Sequence, residues 1–306
     1  MKYAFVFPGQ GSQALGMLAE LYAQEATVRN TFAEASAVLN YDLWQIVSQG
    51  PAEALNRTEV TQPAMLVSGV ACYRLWREKG GSAPVVMSGH SLGEYTALVC
   101  GGALSFEEGV ALVRERGRFM QDAVAPGQGA MAAILGLADA EVVAVCDEAA
   151  SGDVVSAANF NSPGQVVIAG EAAAVERAVK LAKERGAKRA VTLPVSVPSH
   201  CLLMKPAAQR LMQALGASSI TVPTIPVLHN VDGQARADAE AIRAVLVQQL
   251  YASVHWVDCV NTLAAYGVDA VYECGPGKVL AGLIKRIDPN LAVHNLNIPS
   301  DYQNVN

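Results

Sequence analysis

Short apolar runs alternate with longer amphipathic segments along most of the 306-residue chain, and this alternation restricts the possible fold more than any other feature. The runs at Tyr3–Phe7 and 84–87 have the length of buried strands, and helical periodicity extends with interruptions from about residue 15 to residue 79. Within that interval Pro63 suits the first turn of a helix. Strands that alternate with helices are typical of an α/β fold with a mostly parallel sheet.

The middle of the chain has a different order of elements. The pattern predicts strand 130–135, helix 139–150, strands 154–158 and 165–169 around a turn at 161–164, helix 171–185 and strand 188–193. The order β-α-β-β-α-β is that of a ferredoxin-like unit. We therefore expect a small domain over residues 128–195, inserted in a larger domain that comprises residues 1–127 and 196–306.

Composition excludes several classes of protein. The net charge of −6 gives no reason to expect nucleic acid as a partner. No apolar run reaches the ~20 residues of a membrane span, and the N-terminal run is too short for a signal peptide. The six cysteines are scattered without a C-x-x-C pair, which favours reduced core thiols over disulfides or a zinc site. We expect a soluble, cytoplasmic protein with no membrane partner and no metal.

The pentapeptide Gly89-His90-Ser91-Leu92-Gly93 lies where a predicted strand meets a predicted helix. Glycines on both sides of a serine allow the strand and the helix to approach closely, and the sharp turn presents the hydroxyl at the positive end of the helix. Ser91 is therefore a candidate nucleophile, with the N–H of Leu92 directed towards a developing oxyanion. The alternative is a tight turn between strand and helix without a chemical role.

A serine nucleophile needs a general base, and in enzymes with this turn the histidine follows the serine in sequence. His200 is one candidate, because it lies in the 197–200 hinge where the chain leaves the predicted small domain, and such loops often carry function. Three other histidines also follow Ser91 and remain open as the base, or as structural residues: His229, His255 and His294.

The predicted helix that begins after Ser105 contains an arginine on its apolar face. Arg116 projects among apolar residues, whereas Arg114 and Arg118 project on the opposite side of the helix. A buried guanidinium needs a carboxylate or several carbonyl groups, because an unpaired buried charge is costly. Arg116 is therefore either half of an internal salt bridge or a binding group for a substrate carboxylate.

Taken together, these motifs resemble the malonyl-CoA:acyl-carrier-protein transacylase family of bacterial fatty-acid synthesis. The resemblance covers nearly the whole chain, and the combination is specific although no single motif is. It rests on Phe7-Pro8-Gly9-Gln10-Gly11-Ser12-Gln13, the pentapeptide with Glu94, Arg116-Gly117, Asn159-Phe160-Asn161-Ser162-Pro163-Gly164-Gln165, Val197-Pro198-Ser199-His200, Gln248-Gln249-Leu250 and Glu273-x-Gly275-Pro276-Gly277.

The resemblance implies an α/β-hydrolase-like large domain with a parallel sheet and an inserted ferredoxin-like βαββαβ small domain. It implies ping-pong transfer of a malonyl group from malonyl-CoA, through a serine acyl-enzyme, to the phosphopantetheine thiol of acyl carrier protein. Malonyl-CoA is then a substrate, no cofactor is needed, and a monomer is expected.

The resemblance also assigns roles to residues. It implies Ser91 as nucleophile, His200 as base, the backbone N–H groups of Gln10 and Leu92 as oxyanion hole, Arg116 as clamp for the malonyl carboxylate, and Gln249 or its neighbouring backbone as the group that orients the base. His90 matches a histidine beside the nucleophile, with either a structural role or a role at the thioester end. Asn159 and Asn161 are expected to form turns and line the site.

Other functions remain open from the sequence. A thioesterase, lipase or other esterase shares the same serine turn but would place an acid on its histidine. A polyketide-type acyltransferase would use malonyl-CoA or methylmalonyl-CoA with another carrier, and a non-catalytic carrier-binding module would need neither a nucleophile nor a base. The stretch Gly9-x-Gly11-x-x-Ala14 imitates a dinucleotide-binding motif but lacks the second strand that this motif requires.

An acidic carrier protein would need a local positive surface on this acidic chain. Six basic residues at the end of the predicted small domain are candidates for it: Arg177, Lys180, Lys183, Arg185, Lys188 and Arg189. Because Glu176 and Glu184 are interspersed with them, a solvated helix face is the alternative.

Overall fold

The computed structural model describes residues 1–195 and 197–303. The first segment contains β1 (Tyr3–Phe7), α1 (Ala19–Gln24), α2 (Ala26–Leu39), α3 (Leu43–Gln49), α4 (Ala52–Leu55), α5 (Thr58–Glu78), β2 (Val86–Gly89), α6 (Gly93–Cys100) and α7 (Phe106–Ala123). The middle contains β3 (Gly129–Leu135), α8 (Asp139–Ala150), β4 (Val155–Ser162), β5 (Gln165–Glu171), α9 (Ala172–Glu184) and β6 (Arg189–Thr192). After a 3₁₀ turn at Leu202–Met204, the last segment contains α10 (Lys205–Gly216), β7 (Val227–Leu228), α11 (Ala239–Gln249), β8 (Val254–His255), α12 (Trp256–Ala265), β9 (Ala270–Cys274), α13 (Val279–Ile287) and β10 (Ala292–Leu296), followed by a 3₁₀ turn at Pro299–Tyr302.

A parallel sheet of five strands forms the centre of the larger part, in the order β10-β9-β1-β2-β7. Strand β1 lies in the middle, and its side chains alternate between two apolar layers. Phe5 and Phe7 pack in the cluster that includes α2, α5 and α7, whereas Ala4 and Val6 pack against residues of α12 and α13. Helices therefore cover both faces, as predicted for a parallel sheet. The α/β class is confirmed.

The middle segment folds as the predicted βαββαβ unit. Its strands are antiparallel in the order β6-β3-β5-β4, and α8 and α9 pack on one face around a separate apolar cluster. The sheet also gains a strand from outside the predicted 128–195 range, because β8 pairs in parallel with β4 at Asn159 and Phe160. This pairing covers an otherwise open edge of β4. The predicted boundary at residue 196 and the end of the chain after residue 303 lie outside the described residues, and the three domain ranges stay predictions.

Two local expectations from the sequence were wrong. Pro63 does not begin a helix but lies inside α5, which starts at Thr58. A proline at that position removes one backbone donor, and burial of nearly the whole of α5 stabilises the helix in spite of that loss. The predicted turn at 161–164 is shorter than expected, because β4 continues through Ser162 and leaves Pro163 and Gly164 to reverse the chain.

The sequence also predicted that the chain has no membrane span and that its cysteines are reduced thiols. Over residues 1–195 and 197–303, no helix combines the length and the apolar character that a bilayer crossing requires. All six cysteines are free thiols, and five of them are buried.

Gly93 lies where α6 begins against strand β1. A Cβ atom at this position would lie 2.0 Å from the carbonyl oxygen of Phe7, which belongs to the rigid centre of the sheet. We expect Gly93→Ala to lower the free energy of unfolding by about 1–3 kcal/mol, as overpacking typically does. Chemical denaturation followed by circular dichroism measures this change.

The matched control is Gly282→Ala on the exposed side of α13, where a Cβ atom would meet no atom within 4 Å. There the substitution is expected to be neutral or to stabilise the helix by roughly 0.5–1 kcal/mol. Equal effects of the two substitutions would contradict the close approach at Gly93.

Candidate active site

The turn around Ser91 is as tight as its glycines suggested. A Cβ atom at Gly89 would lie 2.0 Å from the carbonyl carbon of Gly93, and a side chain at either glycine would separate α6 from the sheet. Ser91 itself has a backbone φ of 51°, in the left-handed region that residues other than glycine rarely adopt. The strained backbone directs the hydroxyl away from the sheet at the start of α6.

Ser91 and His200 meet across 109 positions of the chain. The hydroxyl Oγ lies 2.8 Å from His200 Nε2, and His200 Nδ1 lies 2.7 Å from the backbone carbonyl oxygen of Gln249. A carbonyl can only accept, so Nδ1 carries the proton and Nε2 is left free to accept from Ser91. The arrangement is a serine–histidine pair oriented by a carbonyl rather than by a carboxylate.

The surroundings of His200 favour the neutral imidazole, and its backbone is held in an unusual conformation. Its side chain is buried, its φ of 63° is also left-handed, and its backbone N–H donates to the carbonyl of Leu250. Burial, followed by the positive charge of Arg116, lowers the pKa of His200 from 6.5 to about 3. The imidazole is therefore unprotonated and able to accept a proton at neutral pH.

Arg116 is buried beside the nucleophile, and in the described part of the chain no carboxylate lies within ion-pair distance of it. Its Nη1 donates to Gln62 Oε1 at 2.9 Å and its Nη2 donates to Gln249 Oε1 at 2.9 Å. Nη2 also lies 3.3 Å from Ser91 Oγ, and the guanidinium carbon is 5.2 Å from the centre of the Tyr95 ring. The internal salt bridge that the sequence left open is absent there.

The hydrogen-bond acceptors around the Arg116 guanidinium are therefore neutral groups. Burial lowers the pKa of its guanidinium, although the neighbouring Tyr95 and Glu94 act in the opposite direction. An arginine side chain stays protonated in proteins. A cation with only amide oxygens and a hydroxyl against it offers an incoming carboxylate a strong partner next to Ser91 Oγ.

The backbone N–H groups of Leu92 and Gln10 are the predicted oxyanion-hole donors. In the described chain, neither the Leu92 N–H nor the Gln10 N–H has a hydrogen-bond acceptor. The Gln10 segment lies close to the turn, since a Cβ atom at Gly9 would be 2.4 Å from the carbonyl oxygen of His90 and 3.8 Å from the nitrogen of Leu92. Two free N–H groups beside a serine are the elements of an oxyanion hole.

His90 and Asn161 contact each other beside the turn. His90 Nε2 donates to Asn161 Oδ1 across 2.8 Å, and the imidazole lies 5.6 Å from the Trp256 ring centre. Burial lowers the pKa of His90, with the Asn161 hydrogen bond acting in the opposite direction. The bond joins the strand–helix turn of the larger part to strand β4 of the smaller part.

The chain matches the family model described as acyl transferase domain over residues 4–289. The chain belongs to the acyl transferase family. Its relatives include the malonyl CoA-acyl carrier protein transacylase of Escherichia coli, which is 58% identical over 299 residues that span 98% of this chain and 97% of the relative.

Solved structures agree with the same assignment. An acyl carrier protein S-malonyltransferase from Vibrio cholerae superimposes with a TM-score of 0.97 at 54% identity, with 100% of both chains covered. A malonyl transacylase in complex with its type II polyketide acyl carrier protein superimposes equally well, with a TM-score of 0.97, 53% identity and coverage of 99% of this chain and 98% of that chain. The predicted resemblance and fold are confirmed.

The other candidate histidines lie away from Ser91 Oγ. His255 stacks on Phe160 and lies 3.4 Å from Asp258, and His294 is exposed on β10 and stacks on Tyr272. His229 is buried beneath the turn, where its Nδ1 lies 2.7 Å from Glu94 Oε1. None of the three has a contact with Ser91, so geometry selects His200 among the four.

Three polar residues near the site were given no role from the sequence. Asn230 Oδ1 accepts from the N–H of Ser91 at 2.6 Å, Glu94 lies fully buried beside it, and Gln62 holds Arg116. A signal for Asn230 was present, because polar residues directly after the strand that ends at Leu228 lie at the carboxyl edge of a parallel sheet. A charged Glu94 inside an otherwise apolar helix was the second signal.

Across the part of the chain that the structure describes, no group of three or more His, Cys, Asp or Glu side chains is arranged to hold a metal ion.

The low pKa of His200 determines the pH dependence of the first chemical step. A base with a pKa of about 3 is unprotonated above roughly pH 4, so kcat/KM for acylation of Ser91 should not fall between pH 8 and pH 5. Single-turnover measurements over this range test the prediction. An acidic limb with a midpoint near 6.5, the ordinary value for histidine, would contradict it.

Proposed function

We propose that this protein transfers a malonyl group from malonyl-CoA to the phosphopantetheine thiol of an acyl carrier protein. The observation that carries the proposal is a buried guanidinium 3.3 Å from the hydroxyl of Ser91, with no carboxylate partner among residues 1–195 and 197–303. Relatives that are more than half identical over nearly the whole chain are named as malonyl transacylases. The activity is that of an acyltransferase enzyme of fatty-acid biosynthesis.

The first half-reaction forms the acyl-enzyme. Ser91 Oγ attacks the thioester carbon while its proton passes to His200 Nε2, 2.8 Å away. The carbonyl of Gln249 keeps the other imidazole proton in place as positive charge develops. The free N–H groups of Gln10 and Leu92 then stabilise the oxyanion. When the tetrahedral intermediate collapses, the C–S bond breaks and the CoA thiolate takes the proton from His200.

The second half-reaction reverses these roles. The carrier thiol gives its proton to His200 and attacks the ester carbon of the acyl-enzyme. Collapse of that intermediate breaks the C–Oγ bond and returns the proton to Ser91. No further cofactor enters this sequence of steps, and malonyl-CoA is a substrate throughout.

Arg116 supplies the selectivity for a carboxylated acyl group. The free carboxylate of malonyl would pair with its guanidinium and replace the weak contact that Nη2 makes with Ser91 Oγ. A two-carbon acyl group would bury the cation without a partner, which costs several kcal/mol. The difference favours malonyl over acetyl in kcat/KM.

The bound carboxylate would also affect the base. Burial and the Arg116 charge are the two largest causes that hold the pKa of His200 low. Because a malonyl carboxylate offsets that charge, its binding raises the pKa of His200 and makes the imidazole a stronger base. The correct substrate therefore improves the proton acceptor that its own reaction requires.

His90 and Asn161 line the site beside the serine turn in this proposal. A neutral His90 that donates to Asn161 Oδ1 would shape the entrance for the thioester end of the substrate. Their hydrogen bond would also keep the small sheet in contact with the serine turn.

The remaining expectations are part of the same proposal. A cytoplasmic location and a monomeric state stay predictions. The basic surface of the small part is reduced, because Arg177 pairs with Asp153 and Arg185 pairs with Glu148. The exposed Lys180, Lys183, Lys188 and Arg189 are the basic residues left for an acidic carrier.

In a serine hydrolase, an acidic side chain would accept the hydrogen bond from the histidine Nδ1. In this protein the Gln249 carbonyl accepts it instead. Two acids that follow Ser91 in sequence could have filled that role, Asp122 at a helix end and Asp153 in a turn. Both pair with surface arginines instead. A polyketide carrier is the second candidate, since one structural neighbour is bound to a type II polyketide carrier protein. The acyl group transferred would be the same with either carrier.

The proposal is tested most directly by intact-mass measurement of the acyl-enzyme. After rapid mixing with malonyl-CoA and an acid quench, we expect one malonyl adduct on the wild-type chain and none on Ser91→Ala. Addition of a phosphopantetheinylated carrier protein should remove the adduct. Steady release of CoA without an adduct would indicate a hydrolase, and no reaction with malonyl-CoA would exclude this donor.

Replacement of Arg116 by alanine should weaken the preference for carboxylated donors. Loss of two charged hydrogen bonds, each worth about 1.5 kcal/mol or more, predicts a fall of roughly a hundredfold in kcat/KM for malonyl-CoA. The rate with acetyl-CoA should fall less or rise. The control is Arg118→Ala on the exposed side of the same helix, where the side chain pairs with Glu115. An unchanged malonyl/acetyl ratio in Arg116→Ala would exclude the assignment of Arg116.

A further inference from the structure

Glu94 is a fully buried carboxylate directly behind the nucleophile turn, and every group against it is a donor. Its Oε1 lies 2.7 Å from His229 Nδ1. Its Oε2 accepts from the backbone N–H of Asn230 at 2.9 Å and from Gln249 Nε2 at 3.0 Å. Glu94 is therefore saturated by the protein itself and makes no contact that a substrate could use.

The Gln249 side chain can satisfy its neighbours in only one orientation. Its Nε2 faces three acceptors, which are the Ser91 carbonyl at 2.9 Å, Glu94 Oε2 at 3.0 Å and Asn230 Oδ1 at 3.4 Å. Its Oε1 faces Arg116 Nη2 at 2.9 Å. If the amide were rotated by half a turn, its NH₂ would oppose a guanidinium and its oxygen would oppose a carboxylate.

Asn230 is held by the same carboxylate and supports the serine from below. Its backbone N–H donates to Glu94 Oε2, its Nδ2 donates to the carbonyl of Gly89 at 2.7 Å, and its Oδ1 accepts from the Ser91 N–H at 2.6 Å. Both residues that contact the strained Ser91 backbone from this side therefore depend on one oxygen of Glu94.

In the part of the chain that the structure describes, the short hydrogen bonds of Arg116 are made to amide oxygens. Gln249 Oε1 and Gln62 Oε1 are the acceptors that fix its direction, and the Nη2 that contacts Ser91 Oγ is the same nitrogen that donates to Gln249. The position of this nitrogen therefore follows from the orientation of Gln249. Misplacement by a fraction of an ångström weakens a bidentate contact with a carboxylate.

We propose that Glu94 is a positioning residue for substrate selection: by accepting from Gln249 Nε2 it turns Gln249 Oε1 towards Arg116 and holds Nη2 beside Ser91, where a substrate carboxylate binds. The inference rests on the proposed malonyl transfer and adds a residue to it. Glu94 touches neither substrate nor reacting atoms. Its effect passes through Gln249 to Arg116, and through Asn230 to the backbone of Ser91.

The two parts of this effect have different kinetic signatures. The support of Ser91 through Asn230 acts on every acyl donor alike, so its loss lowers the rates with malonyl-CoA and acetyl-CoA by the same factor. The support of Arg116 acts only on donors with a carboxylate. The malonyl/acetyl ratio of kcat/KM therefore isolates the proposed role from a general loss of structure.

The decisive variant is Glu94→Met, which keeps the length of the side chain and removes the acceptor. We expect the malonyl/acetyl ratio to fall by about tenfold or more, as the loss of one charged hydrogen bond implies. Glu94→Gln should retain the ratio within about threefold, because its amide oxygen can replace Oε2 while its NH₂ donates to His229 in the other tautomer. Equal loss in both variants would overturn positioning by hydrogen bonds.

The matched control is Glu273→Met. Glu273 is also a fully buried carboxylate, but its oxygens accept from the N–H groups of Leu280 and Ala281 at the start of α13. This variant is expected to lower the melting temperature and leave the malonyl/acetyl ratio unchanged. A ratio that fell as far in Glu273→Met as in Glu94→Met would assign the effect to general destabilisation and overturn the proposal.

A double variant tests whether Glu94 acts through Arg116. In an Arg116→Ala background, Glu94→Met should cause no further fall in the ratio, since the group that it positions is missing. A further fall of the same size would show independent effects and overturn the inference. If Arg116→Ala alone left the ratio unchanged, the proposed function would fail instead, so the two failures are distinguishable.

Should Glu94→Met fail to fold, as judged by circular dichroism, Gln249→Met decides the question. It removes the side-chain amide that connects Glu94 to Arg116 and keeps the backbone carbonyl that orients His200. The ratio should again fall by about tenfold or more, because the same charged hydrogen bond is lost. A folded Gln249→Met protein with the wild-type ratio would overturn the proposal.

Discussion

The close approach of helix α6 to strands β1 and β2 is the constraint on which the site depends. Because Gly89 and Gly93 have no side chains, helix α6 can begin directly against the sheet. A Cβ atom at either position would lie 2.0 Å from backbone atoms. The chain can then turn only through a left-handed residue, and Ser91 takes that position with φ of 51°. The hydroxyl lies at a helix N-terminus. The strained turn is kept in place by two hydrogen bonds, one donated by the Ser91 N–H to Asn230 and one donated by Gln249 to the Ser91 carbonyl.

The second determinant is the distribution of charge around that turn. A buried cation, Arg116, and a buried carboxylate, Glu94, lie on either side of the Gln249 amide and make no ion pair with each other. An ion pair would have satisfied both charges and left nothing for a substrate. Because a neutral amide separates them, the carboxylate stays saturated by donors, and the cation is the group that the proposed function assigns to a substrate carboxylate next to Ser91.

The sequence predicted most of the helices and strands, and it singled out Ser91 and Arg116 as candidate site residues. The serine turn was recognisable because strand, glycines and helix are local, and Arg116 because helical projection places it among apolar residues. His200 could not be selected from four histidines by sequence spacing alone, and its role came from the family resemblance. Glu94 and Asn230 were given no role, since their contacts join residues that are up to 155 positions apart. Pro63 was misplaced because burial of α5 outweighs the local preference of proline for a first turn.

The sequence by itself determined which residues could do chemistry: a serine between two glycines, a cation on an apolar helix face, and the order of strands and helices that carries them. These are properties of neighbouring residues, and local sterics and periodicity decide them. Only the tertiary structure decided which carbonyl orients His200, that no described carboxylate pairs with Arg116, and that a strand from outside the predicted small domain completes its sheet. Those outcomes depend on distances between residues far apart in the chain, which no local pattern encodes.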